Sequence, residues 1–334
     1  MKNILITGGG GFIGKNLIKR LITDNNIDKI IVLDNFITSN KLDFISFSQP
    51  LSNKVMLYVY DINDYNLINY LIEDLQDTDI NTIDEIYHLA SLASPIFYKK
   101  NPIQTLDVGY IGTKNILDLA YKYNSKVLFS STSEVYGDAE VSPQHENYYG
   151  NVNSFGERSC YDESKRVAEA LCYTYINTYH MDIKIARIFN TYGPHMMLND
   201  GRIITECIRH LINDTTLTIF GDGSQTRSCC YIDDNITQLI KLMDSDYNIP
   251  INIGNNVELS INDTVKIIEN VWKEIHNIPS NKKVAKIQYM PLTQNDPLQR
   301  QPCLKLNNIS LGTTTYTSFE DGVRQTIYYF LNKK

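Results

Sequence analysis

The sequence predicts an α/β fold, a doubly wound parallel sheet followed by a smaller C-terminal α/β lobe, and three observations carry that prediction. The first half alternates short apolar runs with amphipathic helical stretches, the pattern of a parallel sheet covered on both faces. A glycine turn joins the first run to the first helical stretch, and a carboxylate closes the second run. No repeat, low-complexity tract or flexible linker separates the two halves, so the lobes are expected to share a cleft with a ligand between them.

The elements follow in order. Lys2–Ile6 is an apolar strand that runs into Thr7-Gly8-Gly9-Gly10-Gly11-Phe12-Ile13-Gly14 and then a helix through Leu17, Ile18 and Leu21. Gly8, Gly11 and Gly14 allow a tight turn and let backbone approach a pyrophosphate held on the helix N-terminus, with Phe12 and Ile13 supplying amides. The second strand, Ile30–Leu33, ends at Asp34, which follows Gly14 by the ~20 residues expected of a carboxylate that bonds the adenosine ribose. Such a carboxylate repels a 2′-phosphate, so a Rossmann-type sheet binding NAD rather than NADP is expected. Further strands are expected at Val55–Tyr60, Ile83–Leu89, Lys126–Ser130 and Ile183–Arg187, with helices near Tyr65–Leu75, Pro102–Tyr123 and Glu163–His180.

The carboxyl ends of these strands carry further candidates. Asp61 and Ile62 would hold the adenine, and Leu89, Ala90 and Ser91 would let a cofactor pass over the sheet. The Lys126 strand runs into Ser131-Thr132-Ser133-Glu134, which places a hydroxyl and a carboxylate at the same edge. Helix-start residues Tyr161 and Lys165 are four apart; an ammonium beside a phenol favours tyrosinate, a base at neutral pH. After Phe189 the pattern loosens into turns, short helices and short strands.

Composition narrows the class. The 334 residues, 43% hydrophobic and 21% charged, are enough for a sizeable core, and a net charge of −7 argues against a general nucleic-acid or membrane-surface binder. No apolar run reaches the ~18–20 residues of a membrane span, and the chain opens on a strand without a leader pattern, so a cytoplasmic protein is expected. Six scattered cysteines show neither a C-x-x-C pair nor a histidine at metal-ligand spacing, so no metal is expected.

The set Gly8, Gly11, Gly14, Asp34, Thr132, Tyr161 and Lys165 resembles the extended short-chain dehydrogenase/reductases that act on nucleotide sugars. Within them it is most similar to the UDP-glucuronate decarboxylases, or UDP-xylose synthases. Supporting phrases are Asp34-Asn35-Phe36, His88-Leu89-Ala90-Ser91, Arg158-Ser159-Cys160-Tyr161-Asp162-Glu163, Asn190-Thr191-Tyr192-Gly193-Pro194, Asn199-Asp200-Gly201-Arg202, Phe220-Gly221-Asp222-Gly223-Ser224-Gln225-Thr226-Arg227 and Asp296-Pro297-Leu298-Gln299-Arg300-Gln301-Pro302. The resemblance covers nearly the whole chain. It implies a domain division: residues 1–187 as the NAD-binding Rossmann domain, with 232–253 returning to it, and 188–231 and 254–334 as the UDP-sugar-binding lobe.

The resemblance also implies a reaction, the conversion of UDP-glucuronate to UDP-xylose with NAD as a recycled electron reservoir. Tyr161 would deprotonate the sugar 4-hydroxyl, Thr132 would hydrogen-bond the same oxygen, and Lys165 would hold the nicotinamide ribose. Glu134 would position the ring and a water, and Arg300 would orient the substrate or organise the proton donor to C5. Ser133, Asn190, Arg202, Arg227, Tyr231 and Arg300 would contact the UDP-sugar, while Asn35 joins the cofactor set. Related 4,6-dehydratases commonly carry an aspartic acid at the position of Ser133, so that reaction, or an epimerisation, is the enzymatic alternative. A non-enzymatic NAD(H)-sensing protein would more naturally have lost Tyr161 or Lys165. A homodimer through the helices near Pro102–Tyr123 and Glu163–His180 is expected, its face including Val167, Ala168, Leu171, Tyr173 and Tyr175. Departures from the family pattern are Gly109 for an asparagine, His195 for an arginine, and Ser154 and Glu157 for prolines.

Overall fold

The computed structural model describes residues 1–51, 53–291, 299–313 and 315–333. Its first part runs β1 (Lys2–Thr7), α1 (Phe12–Leu21), β2 (Ile27–Leu33), α2 (Lys41–Ser48), β3 (Val55–Tyr58), α3 (Leu67–Gln76), β4 (Glu85–His88), α4 (Pro95–Lys100), α5 (Pro102–Asp107), α6 (Thr113–Tyr123), β5 (Lys126–Thr132), α7 (Ser159–Tyr179) and β6 (Ile183–Ile188). There follow β7 (Thr191–Tyr192), α8 (Ile203–Asn213), β8 (Thr216–Phe220), β9 (Thr226–Ser228), β10 (Cys230–Tyr231), α9 (Ile232–Met243), β11 (Pro250–Ile253), β12 (Glu258–Ser260), α10 (Ile261–Ile275), β13 (Lys286–Met290), β14 (Gln299–Arg300), α11 (Lys305–Leu311) and α12 (Phe319–Asn332).

Seven strands form one sheet in the order β11-β6-β5-β4-β1-β2-β3, every neighbouring pair parallel. Strand order reverses between β1 and β4, and the crevice at their carboxyl ends is where such sheets take ligands. Alternation along the strands feeds two cores. Ile4, Ile6, Ile30 and Val32 pack on one face, while Leu5, Ile31 and Leu33 pack on the other. Each such side chain contributes roughly 1.5–3 kcal/mol when fully buried. The remaining strands pair as β7 with β10, β8 with β13, and β9 between β12 and β14.

Boundaries differ from expectation in instructive places. β5 runs on to Thr132 because its ladder with β6 continues through Ser131–Arg187 and Thr132–Ile188. The stretch Pro102–Tyr123 is not one regular helix: a π turn at Val108–Gly112 separates α5 from α6. A Cβ on Gly109 would fall 2.4 Å from the Ser164 carbonyl, so this glycine lets the turn press directly against α7. α7 starts at Ser159, which puts Tyr161 on its first turn. Of the α7 residues expected on an outer face, Ala168 and Tyr175 are buried in the core, while Tyr173 is exposed. Among the described residues no helix is long and apolar enough to cross a membrane.

Candidate active site

A cleft of about 450 Å³ opens along the carboxyl edge of the sheet and gathers most of the residues singled out above. At one end, the glycine turn leads into α1, which has no side-chain cap and no acidic residue in its first turn. Its first amides are therefore available to an anion. A Cβ on Gly14 would stand 2.6 Å from the Gly8 carbonyl oxygen, so the turn closes only around glycine. Asp34 accepts from the Gly10 amide at 2.8 Å and from the Phe36 amide at 2.7 Å. Burial raises its pKa, and these two amides pull it back. Asn35 donates to Asp61 at 3.0 Å, and Ile62, Leu89, Ala90 and Ser91 line the same end together with Phe12 and Ile13. Uncapped amides, a ribose-height carboxylate and a floor of small residues fit a dinucleotide.

In the middle lie Thr132, Tyr161 and Lys165. The Tyr161 ring stacks on Tyr98 with centroids 5.2 Å apart and planes 9° from parallel, a partner that sequence reading missed. Burial pushes the phenol pKa well up; the Thr132 hydroxyl and the Arg202 guanidinium draw it down, while Glu134 and Asp162 raise it. Lys165 is buried. Its ammonium donates to the Ser130 carbonyl at 2.7 Å and lies over the Phe129 ring, and desolvation lowers its pKa to about 7. Behind it, His88 bridges Thr7 at 2.7 Å and Thr113 at 3.2 Å, and burial holds it neutral, its pKa lowered to about 3.

At the other end Glu134 meets two guanidiniums. Arg300, 3% exposed, donates to Glu134 at 3.2 Å and to the carbonyls of Ser133 and Gly137 at 3.1 and 2.9 Å. Arg158, which sequence reading quoted without giving it a role, ion-pairs with Glu134 and reaches Asp162 at 3.7 Å. Burial pushes the Glu134 carboxyl up, but Arg300, Arg158 and Arg227 outweigh it and hold the pKa below the ordinary value. Ser133, Asn190, Arg202 and Arg227 line this end, Arg202 paired to Asp200 at 3.3 Å. Tyr231 is a correction: it does not line the cleft. β10 pairs with β7 and turns the ring into the core, where its hydroxyl donates to Gln325 at 2.9 Å and its edge meets Tyr192. Asp296, Pro297 and Leu298 of the late arginine phrase lie outside the described residues.

Comparison with known proteins places this geometry. Residues 4–254 match the model of the NAD dependent epimerase/dehydratase family. UDP-glucuronic acid decarboxylase 1 of Danio rerio is 40% identical over 98% of this chain and 72% of its own length. UDP-glucuronic acid decarboxylase 5 of Arabidopsis thaliana is 41% identical over 96% and 86%. Among solved structures, a UDP-glucuronic acid 4-epimerase from Bacillus cereus in complex with UDP-glucuronic acid and NAD superposes with a TM-score of 0.82 at 26% identity, covering 99% of this chain and 100% of the other. Fold, cleft and relatives agree, and the chain belongs to the NAD dependent epimerase/dehydratase family.

Proposed function

We propose that the protein converts UDP-glucuronate to UDP-xylose by oxidation at C4, loss of carbon dioxide and re-reduction at C4. The observation that carries this reading is the presence in one cleft of a proton-abstracting pair, Tyr161 with Thr132, and of Glu134 held ionised by Arg300 and Arg158. NAD, when bound between the glycine turn and Asp34, supplies the acceptor and later the donor of one hydride at C4. Tyr161 takes the 4-hydroxyl proton, and Thr132 hydrogen-bonds the same oxygen. Once C4 is a ketone, the C6 carboxylate lies β to it, and the electrons of the breaking bond flow into the ketone oxygen that Tyr161 and Thr132 hold. Glu134, kept ionised by its guanidiniums, orients the ring during that step. It also positions a water for protonation at C5.

Arg300 acts through Glu134. Its three bonds to protein groups leave it an orienting residue rather than a clamp on the substrate carboxylate. Residues 1–187 with 232–253 form the NAD-binding domain in this reading. Residues 188–231 and 254–334 form the UDP-sugar lobe, where Asn190, Arg202 and Arg227 take the nucleotide diphosphate. Incubation of the purified protein with NAD and UDP-glucuronate should release one carbon dioxide per UDP-pentose, and Tyr161→Phe should yield neither. The second reading, a 4-epimerase, is favoured by the likeness to the Bacillus cereus structure. It predicts a UDP-hexuronate isomer with no carbon dioxide, and that outcome would replace the first reading.

We also infer a homodimer. Ile103, Leu106, Tyr110, Tyr121, Tyr173 and Tyr179 stand exposed on α5, the π turn, α6 and α7, an apolar face suited to a second copy. Light scattering at micromolar concentration should give twice the chain mass; a monomer sinks the inference.

A further inference from the structure

Four lysines are buried: Lys15, Lys165, Lys184 and Lys273. Three have partners. Lys165 donates to the Ser130 carbonyl, Lys184 to the Asn248 side chain at 2.8 Å, and Lys273 pairs with Glu269 at 3.1 Å. Lys15 is 8% exposed and, among the described residues, its ammonium makes neither a hydrogen bond nor an ion pair. It lines the cleft one residue after Gly14, in the first turns of uncapped α1. Asp34 and Asp43 act on it from a distance and Lys333 opposes them, while Asp43 is itself engaged by Lys333 at 3.2 Å. Holding an unpaired ammonium in the partly desolvated wall of a cleft is unfavourable, and desolvation lowers its pKa accordingly. Such a cost is offset when an anion arrives.

We propose that Lys15 binds a phosphate of the dinucleotide and completes, with a side-chain charge, the anion cradle that the α1 amides begin. The proposal rests on the reading of this end of the cleft as the NAD site. Two phosphate sources are open to a lysine at this end of the cleft, the diphosphate and a phosphate on the adenosine ribose, the second opposed by the Asp34 carboxylate.

The test uses calorimetry on the full chain, with NADH, NADPH, ADP and adenosine as probes against wild type, Lys15→Met and Lys15→Arg. A charge-assisted hydrogen bond predicts that Lys15→Met weakens NADH and ADP about ten- to a hundred-fold and leaves adenosine unchanged, with Lys15→Arg recovering much of the loss. A loss confined to NADPH would assign Lys15 to the ribose phosphate instead. Thermal melts supply a second readout with opposite signs: without nucleotide Lys15→Met should melt higher than wild type, and saturating NADH should raise its melting temperature less. Lys15→Met binding NADH, NADPH and ADP as wild type does, or losing adenosine as much as ADP, overturns the proposal. Wild type that binds neither NADH nor ADP would overturn the NAD-site reading beneath it.

Discussion

At the cofactor end of the cleft the chain uses backbone and near neighbours: glycines, the first amides of α1, and Asp34 at the end of the next strand, all within one β–α–β unit. At the sugar end it uses side chains brought from afar. Glu134 is met by Arg300, 166 positions along the chain, and Arg300 is held in turn by the carbonyls of Ser133 and Gly137. A site made of backbone is fixed by local sterics. A site made of distant ion pairs exists only when the whole fold has closed, so chemistry and stability are coupled there.

A crossed pair of variants tests that contrast. Arg300→Met carries the larger effect, because it takes one of two guanidiniums from the half-buried Glu134 and strips the Ser133 and Gly137 carbonyls of their arginine donor. Each buried acceptor left without its donor costs about 1–3 kcal/mol. Chemical denaturation should show that loss, turnover should fall steeply, and NADH binding by the folded fraction should stay near wild type. Gly14→Ala is the counterpart: its methyl would meet the Gly8 carbonyl oxygen and the Gly9 Cα, each at 2.6 Å. Overpacking of that kind costs about 1–3 kcal/mol and should remove NADH binding while UDP still binds. If both variants lower NADH affinity equally, the two ends are not independent.

Legibility follows the same division. Gly8, Gly11, Gly14 and Asp34 could be read because their meaning lies in spacing along a few tens of residues, and the strand ends at Asp61, Leu89 and Thr132 followed from counting strands. Glu134 was readable as a carboxylate at the end of the Lys126 strand, but Arg300 was reached only through the family resemblance, since nothing local links the two. Arg158 stands at i,i+4 spacing from Asp162, a local signal that was not read, and its pairing with Glu134 depends on how α7 seats against β5. Lys15 carried a signal that was passed over, a lysine directly after a glycine motif. Tyr231 failed because a strand residue faces either the cleft or the core, and its two-residue pairing with β7 decides which. The single helix expected at Pro102–Tyr123 failed because periodicity does not register one wide turn.

The smallest effect separates the carboxylates of the sugar end. Asp162 is buried, one of its oxygens has no partner among the described residues, and burial together with Glu134 raises its pKa to about 7, against the pull of Arg158 and Arg300. In the unfolded chain the same group loses its proton near the ordinary aspartate value of about 3.9. Between those two values the native state binds one more proton than the unfolded state, so this group makes stability fall as pH rises. Below about pH 4 both forms are protonated and the cost vanishes; above about pH 7 both are ionised and it is constant. Lys165, with its pKa lowered to about 7, works with the opposite sign, adding stability as pH rises from there, so the wild-type curve mixes the two. Subtraction isolates Asp162. Asp162→Asn should gain stability relative to wild type by on the order of 2 kcal/mol more at pH 7 than at pH 5, with little further change at pH 8.5. Urea denaturation at the three pH values measures the gap; a gap independent of pH would mean that Arg158 keeps Asp162 ionised throughout and that both acids of this end share one guanidinium as carboxylates.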